Sequence, residues 1–260
     1  KHWRANHLNC PTAHNPKHQG HRDMNATQIM AAIEPFGAES YRKVLRNHGI
    51  PEPMVGARIS DIKNLLKQWK IKKDYQLALD LYEQPVYDGR YLAGLIADEQ
   101  RMTADDLQHW ASTSNCASLS QNTVAWVAAE SAHGICLARR WIESDSELVA
   151  SSGWCTFGGL LALKPDNELN LDELTALLRR IEETIHSAPN DVRYCMNSFV
   201  ISAGSYVQAL TAHAIHVGRA IGHITVDMGK TACKVPFAPD YIARVEARGT
   251  VGKKRKTVRC

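Results

Sequence analysis

Between Asp106 and Glu130 the chain has no acidic residue. No carboxylate chemistry can therefore reside on that stretch. No apolar run approaches the length of a membrane span, which excludes a helical membrane anchor. No apolar stretch follows the basic residues near the N-terminus, which excludes a secretory signal there. The seven cysteines contain no CxxC pair and are odd in number, which argues against both a disulfide framework and a zinc ribbon. Reduced thiols and a cytoplasmic location are expected, with no cofactor and no metal site.

What remains is ordinary for a globular protein. There are 260 residues, 44% hydrophobic and 22% charged, enough for a substantial core. The net charge of +4 is unevenly placed. Residues 1–23 carry +3 and residues 248–260 carry +6, so the body, 24–247, is at −5. The cations that could neutralise phosphates are concentrated at the ends.

Residues 1–23 are polar and read as a disordered extension. They hold His2, His7, His14, His18, His21 and Cys10 at no zinc spacing. Met24 reads as a natural start, with Asn25 and Thr27 as helix caps. Helical periodicity then runs for nearly two hundred residues. Tyr41, Val44 and Leu45 mark one apolar face, and Asp74 and Thr103 open later helices. A helix is expected from Asp145 through Val149, then a separate apolar segment from Gly153 to Leu163. Another is expected from Ser205 through Arg219.

Short helix pairs joined by brief turns predict a helical-repeat solenoid. Inner helices are expected to start near Arg90, Asn122, Ser152 and Arg193, at spacings of 32, 30 and 41 residues. A compact non-repetitive bundle is the alternative. After Gly222 the character changes. The segment from His223 to Gly229 is the one clear extended run, and a short helix is expected from Tyr241 to Arg248. The final GTVGKKRKTVRC is too polar and basic to bury.

The blocks LALDLYEQPVYDGRYLAGLIAD (77–98), MVGARISDIKNLLKQW (54–69), ELVASSGWCTFGGLLAL (147–163) and VRYCMNSFVISAG (192–204) carry a likeness. Over roughly residues 24–220 the chain resembles the AlkD-type DNA alkylation repair family. That resemblance implies an all-α solenoid of HEAT-like repeats over 24–222, with 223–260 as a C-terminal extension. It also implies a concave surface that holds double-stranded DNA bearing an alkylated purine. The leaving base is already cationic, so the chemistry left to the protein is stabilising positive charge on the sugar.

In that family a loop of the form W-D-x-x-D supplies the carboxylate. The matching stretch here is 116–121. Cys116 stands at the tryptophan, Ala117 at the first aspartate and Ser120 at the catalytic aspartate. Ser198 stands at a second aromatic, and Ser151 and Ile201 stand at two DNA-contacting arginines. A hydroxyl carries no charge to offer a cationic sugar, so excision is doubtful while DNA binding is retained.

Other groups allow two readings each. Lys253, Lys254, Arg255 and Lys256 could track phosphates, or form a solvated tail. Arg90 and Arg193 are further candidates for DNA contact. Trp126, Trp141 and Trp154 could stack on bases, but their apolar neighbours favour the core. His213, His216 and His223 with Cys233 lack metal spacing. Cys116 would need His109 or His133 as a base to act as a nucleophile. The function expected is DNA binding in a repair context. The rival is a non-catalytic helical-repeat scaffold that holds a protein or other ligand.

Overall fold

A computed structural model describes residues 24–259 of the chain. The extension at 1–23, with its histidines, lies outside the described residues. Thirteen α-helices fill the described part, and its single β-bridge joins Gly37 to Ala57. The extended run expected after His223 is irregular instead.

Capping chemistry sets several starts. Asn25 and Gln28 form a capping box at α1 (Ala26–Ile33). Then come α2 (Glu39–Asn47) and α3 (Ile59–Trp69). Asp74 caps α4 (Tyr75–Tyr82) through the Leu77 amide, and α5 (Tyr87–Ile96) follows. Thr103 and Asp106 box the start of α6 (Ala104–Thr113). Val44, expected on an inward face of α2, is instead exposed.

The next inner helix opens with a π-turn, Leu119–Val124, and continues as α7 (Ala125–Glu130). After α8 (Gly134–Trp141), α9 runs unbroken from Glu147 to Leu163. The sequence predicts a break between Val149 and Gly153, and the structure has none. Ser152 donates to the Leu148 carbonyl and Thr156 to the Ser152 carbonyl, so these hydroxyls turn back onto their own helix and do not break it. Beyond lie α10 (Leu171–Thr184), α11 (Asn190–Tyr206), α12 (Thr211–Ile221) and α13 (Ala238–Ala247). The helix expected from Ser205 starts instead at Thr211, after a short 3-10 turn.

The inner layer is α5, α7, α9 and α11, with α9 packed on both neighbours and on α8. Large rings fill the spaces between layers. Tyr82 stacks on Trp110 at 4.3 Å, and Trp154 meets Phe199 edge-on at 5.5 Å. Trp126, Trp141 and Trp154 are all buried, which settles them as core rather than base-stacking platforms.

Close helix contacts depend on glycine. A Cβ on Gly153 would stand 2.7 Å from the Ile142 nitrogen and 2.9 Å from Trp141 Cβ. Replacing Gly153 with alanine gains helix propensity of up to about 1 kcal/mol, but the forced separation of α8 and α9 costs about 1–3 kcal/mol. A net loss of stability is expected in urea denaturation. A variant more stable than the wild type would show that α8 can move aside.

Two connections tie distant parts together. Asp88, in the first turn of α5, is buried and accepts from the amides of Val55 (2.7 Å), Gly56 (3.2 Å) and Ala57 (3.0 Å). The loop 223–237 runs past the N-terminal half of α11 to α2. Asn190 and Asp227 exchange two hydrogen bonds, Asn197 donates to the Pro236 carbonyl, and the Lys230 amide donates to the Asn47 carbonyl.

The basic end is docked, contrary to the expectation that it is too polar to bury. Lys254 donates to the carbonyls of Leu161 (2.9 Å) and Tyr206 (2.7 Å), which end α9 and α11, and pairs with Asp166. Helix C-termini carry unsatisfied carbonyls and partial negative charge, so a cation fits there. Val258 is buried, and Arg259 reaches the Ala97 carbonyl at the end of α5.

Candidate nucleic-acid interface

The segment 116–121, expected from the resemblance to stand at the family's catalytic loop, sits where α6 turns into the π-turn. π-turns inside helices recur at functional sites, and this one lets Thr123 press against Gly94 of α5. The local chemistry is nonetheless structural. Ser120 is wholly buried, and its hydroxyl lies 2.8 Å from that of Ser114. Ser152 donates to the Ser120 carbonyl at 3.1 Å, which locks the turn to α9. The Tyr87 hydroxyl meets Ser118 at 2.9 Å, and Tyr91 packs edge-on against Trp126.

Cys116 is buried, and burial pushes its thiol up despite the nearby Leu119 and Ser118 amides. That suits a packing residue, not a nucleophile. Neither His109 nor His133 hydrogen-bonds to it. His109 bonds to Glu83 at 2.6 Å, and His133 is buried. Ala117 is half-buried beside it.

Ser151 is wholly buried, while Ser198 and Ile201 are half-buried on α11. The thiols of Cys155 and Cys195 lie 3.2 Å apart, and burial raises the Cys195 thiol well above its usual range. Cys116, Cys155, Cys195 and Cys233 are free thiols.

The arginines singled out in sequence hold backbone. Arg90 donates to the carbonyls of Gln84 and Thr113 and lies over the Tyr82 ring. Arg193 donates to the carbonyls of Thr225 and Ala188. Of the terminal cluster, Lys253, Arg255 and Lys256 remain exposed, and Lys254 is docked. No group of three metal-ligating side chains forms among the described residues, and His223 stacks on Phe237 instead.

Two features escaped the sequence reading. Glu147 and Asp191, at the N-terminal ends of α9 and α11, come together. The Asp191 amide donates to Glu147 Oε1 at 2.6 Å. Burial, then the Glu147 charge, raises the Asp191 carboxyl above its usual range. Forty-four residues separate the two, so no local pattern could signal the pair. The other is a run of lysines between 63 and 73, spaced along α3 and the turn that follows it.

The fold has known counterparts. A family model described as DNA alkylation repair enzyme matches residues 27–234. The chain belongs to the DNA alkylation repair family. It is 33% identical over 210 residues to the uncharacterized protein Lin0241 of Listeria innocua serovar 6a, across 79% of this chain and 90% of the relative. It is also 33% identical over 213 residues to the uncharacterized protein Lmo0209 of Listeria monocytogenes serovar 1/2a, with the same shares covered. A solved structure superimposes with a TM-score of 0.83 at 30% identity, over 91% of this chain and 100% of the other. That structure represents a new family of proteins related to the HEAT-like repeat DNA glycosylases, with affinity for branched DNA structures. The all-α HEAT-like architecture expected for this alkylation repair family member is thereby established.

Proposed function

We propose that this member of the alkylation repair family binds DNA without excising bases, and prefers branched DNA to a linear duplex. The observation that carries the first half is Ser120. It stands where the family places its carboxylate, has no charge, and is wholly enclosed with Ser114 as its partner. A sugar developing positive charge could neither reach it nor be stabilised by it. The affinity of the solved relative for branched DNA supports the second half.

One carboxylate could stand in. Asp191, in the first turn of the inner helix α11, is half-buried and pairs through its amide with Glu147. Burial and the Glu147 charge raise its carboxyl above the usual aspartate range.

Release of N3- or N7-alkylpurine from alkylated DNA is the deciding assay. The wild type is expected to release none above the spontaneous rate, and Asp191→Asn to behave identically. Release that Asp191→Asn abolishes would overturn the non-excising reading. Binding is read by titrating labelled four-way junction and linear duplex at several salt concentrations. The junction is expected to bind tighter, and both affinities to fall steeply with salt, by about 0.9 log units per log unit of salt for each phosphate neutralised.

A further inference from the structure

The lysines of α3 define a surface remote from the loop at 116–121. Lys63, Lys67 and Lys70 recur at i, i+4 and i+7, so they share one face, and Lys72 and Lys73 follow directly. Lys70 ends the helix in the left-handed conformation (φ 56°), and Lys73 repeats it (φ 48°). A left-handed lysine costs on the order of 1 kcal/mol, and such residues concentrate at functional sites.

The turn so formed meets the C-terminal tail across a cleft of about 450 Å³. Lys63, Lys72, Lys73, Lys256 and Arg259 line it, with Glu99 and Glu130 as the acids. Both acids are already engaged. Glu99 pairs with Lys73 and Arg259, and Glu130 pairs with Arg259 and accepts from Thr257 and the Val258 amide. Lys63, Lys72 and Lys256 are exposed and form no ion pair among the described residues. Three uncompensated ammonium groups thus converge on one opening, an arrangement that an anion relieves.

The lining selects among anions. Leu66 and Leu95 supply aliphatic surface, and no aromatic side chain is present to stack a base. The free cations are lysines, which bind phosphate as point charges without the planar fork of arginine. This suits the sugar–phosphate backbone better than a nucleotide. The cleft lies at the Glu130 end of α7 and the family's catalytic loop at the Leu119 end, roughly 16 Å along the axis at 1.5 Å per residue.

We infer that this cleft is a second phosphate-backbone site, holding one arm of a branched DNA while another arm engages the inner layer. The inference rests on the DNA-binding reading above. A straight duplex presents its backbone along one direction, whereas diverging arms present it along two at once. Joining two sites in one ligand raises affinity without any new contact type.

The test uses the full chain. Lys63→Glu/Lys72→Glu/Lys256→Glu is compared with the matching lysine-to-glutamine triple and with a charge-matched control, Arg179→Glu/Arg219→Glu/Arg248→Glu. Affinities for labelled four-way junction and linear duplex are measured by fluorescence anisotropy, with thermal melts to confirm folding. For the cleft reversal, junction affinity is expected to fall at least about ten-fold, and linear duplex affinity to change less than about three-fold. The glutamine triple is expected to flatten the salt dependence of junction binding by about two to three, near 0.9 for each lysine removed. The control should stay near wild type on both DNAs. Retained junction preference in both cleft variants overturns the inference and leaves the DNA-binding reading standing. Equal losses in cleft and control variants overturn it too, as a mere net-charge effect. A wild type that binds the junction no tighter than duplex overturns the branched preference and the second site together.

Discussion

Replacing Asp88 with alanine is expected to destabilise the fold by about 3–5 kcal/mol. This buried carboxylate is acceptor to three consecutive amides of the turn between α2 and α3, and the substitution strands all three. Those amides cannot find other partners easily. Gly56 is held at φ 74°, and Arg42 donates from the far side to the Val55 carbonyl. Asp88 also lies in the first turn of α5, where its charge complements the helix dipole, so both roles are lost at once. At this chain length each kcal/mol lowers the melting temperature by roughly 2–4 °C, so a fall on the order of 10 °C is expected. Asp88→Asn keeps one acceptor oxygen and should lose less. A melting temperature within about 2 °C of wild type for the alanine variant would show that the turn is held by other contacts.

Arg259→Ala is expected to cost about 2–4 kcal/mol, because it leaves two largely buried carboxylates without their shared partner. Arg259, Glu99 and Glu130 have side chains only 11%, 13% and 13% exposed, so water cannot readily replace the guanidinium. The effect carries a pH signature. Burial pushes the Glu99 carboxyl up, but the Lys73 hydrogen bond, a backbone amide and the Arg259 charge outweigh it, and the net shift is downward from 4.5. A carboxyl depressed on folding stabilises the protein above its unfolded value, and that contribution is lost as pH falls through the folded value. The stability gap between wild type and Arg259→Ala should therefore be full near neutral pH and narrow below about pH 4.5. A gap that is constant down to strong acid would mean that Arg259 acts through packing alone.

Both predictions concern contacts between residues far apart in the chain, and the same distinction marks what could be read without coordinates. Helix starts at Asn25, Asp74 and Thr103 were legible because a cap bonds to an amide three residues on. The burial of Trp126, Trp141 and Trp154 followed from their apolar neighbours. The break expected inside α9 was wrong because its serines and glycines look like punctuation. Only the packed structure shows that Ser152 bonds back to Leu148 and that Gly153 makes room for Ile142.

Local pattern was enough for the helical class, and the blocks at 54–69, 77–98, 147–163 and 192–204 for the family likeness, since each depends on residue identity or near-neighbour spacing. The fate of the charges was decided by the tertiary structure alone. Lys254 and Arg259 look like free cations in sequence, yet they close the carbonyl ends of three helices that begin far upstream. Lys63, Lys72 and Lys256 look no different, yet among the described residues they form no ion pair around one cleft. A charge is worth what surrounds it, because its field is set by partners and burial. Folding brings those partners from 48 to 162 residues away.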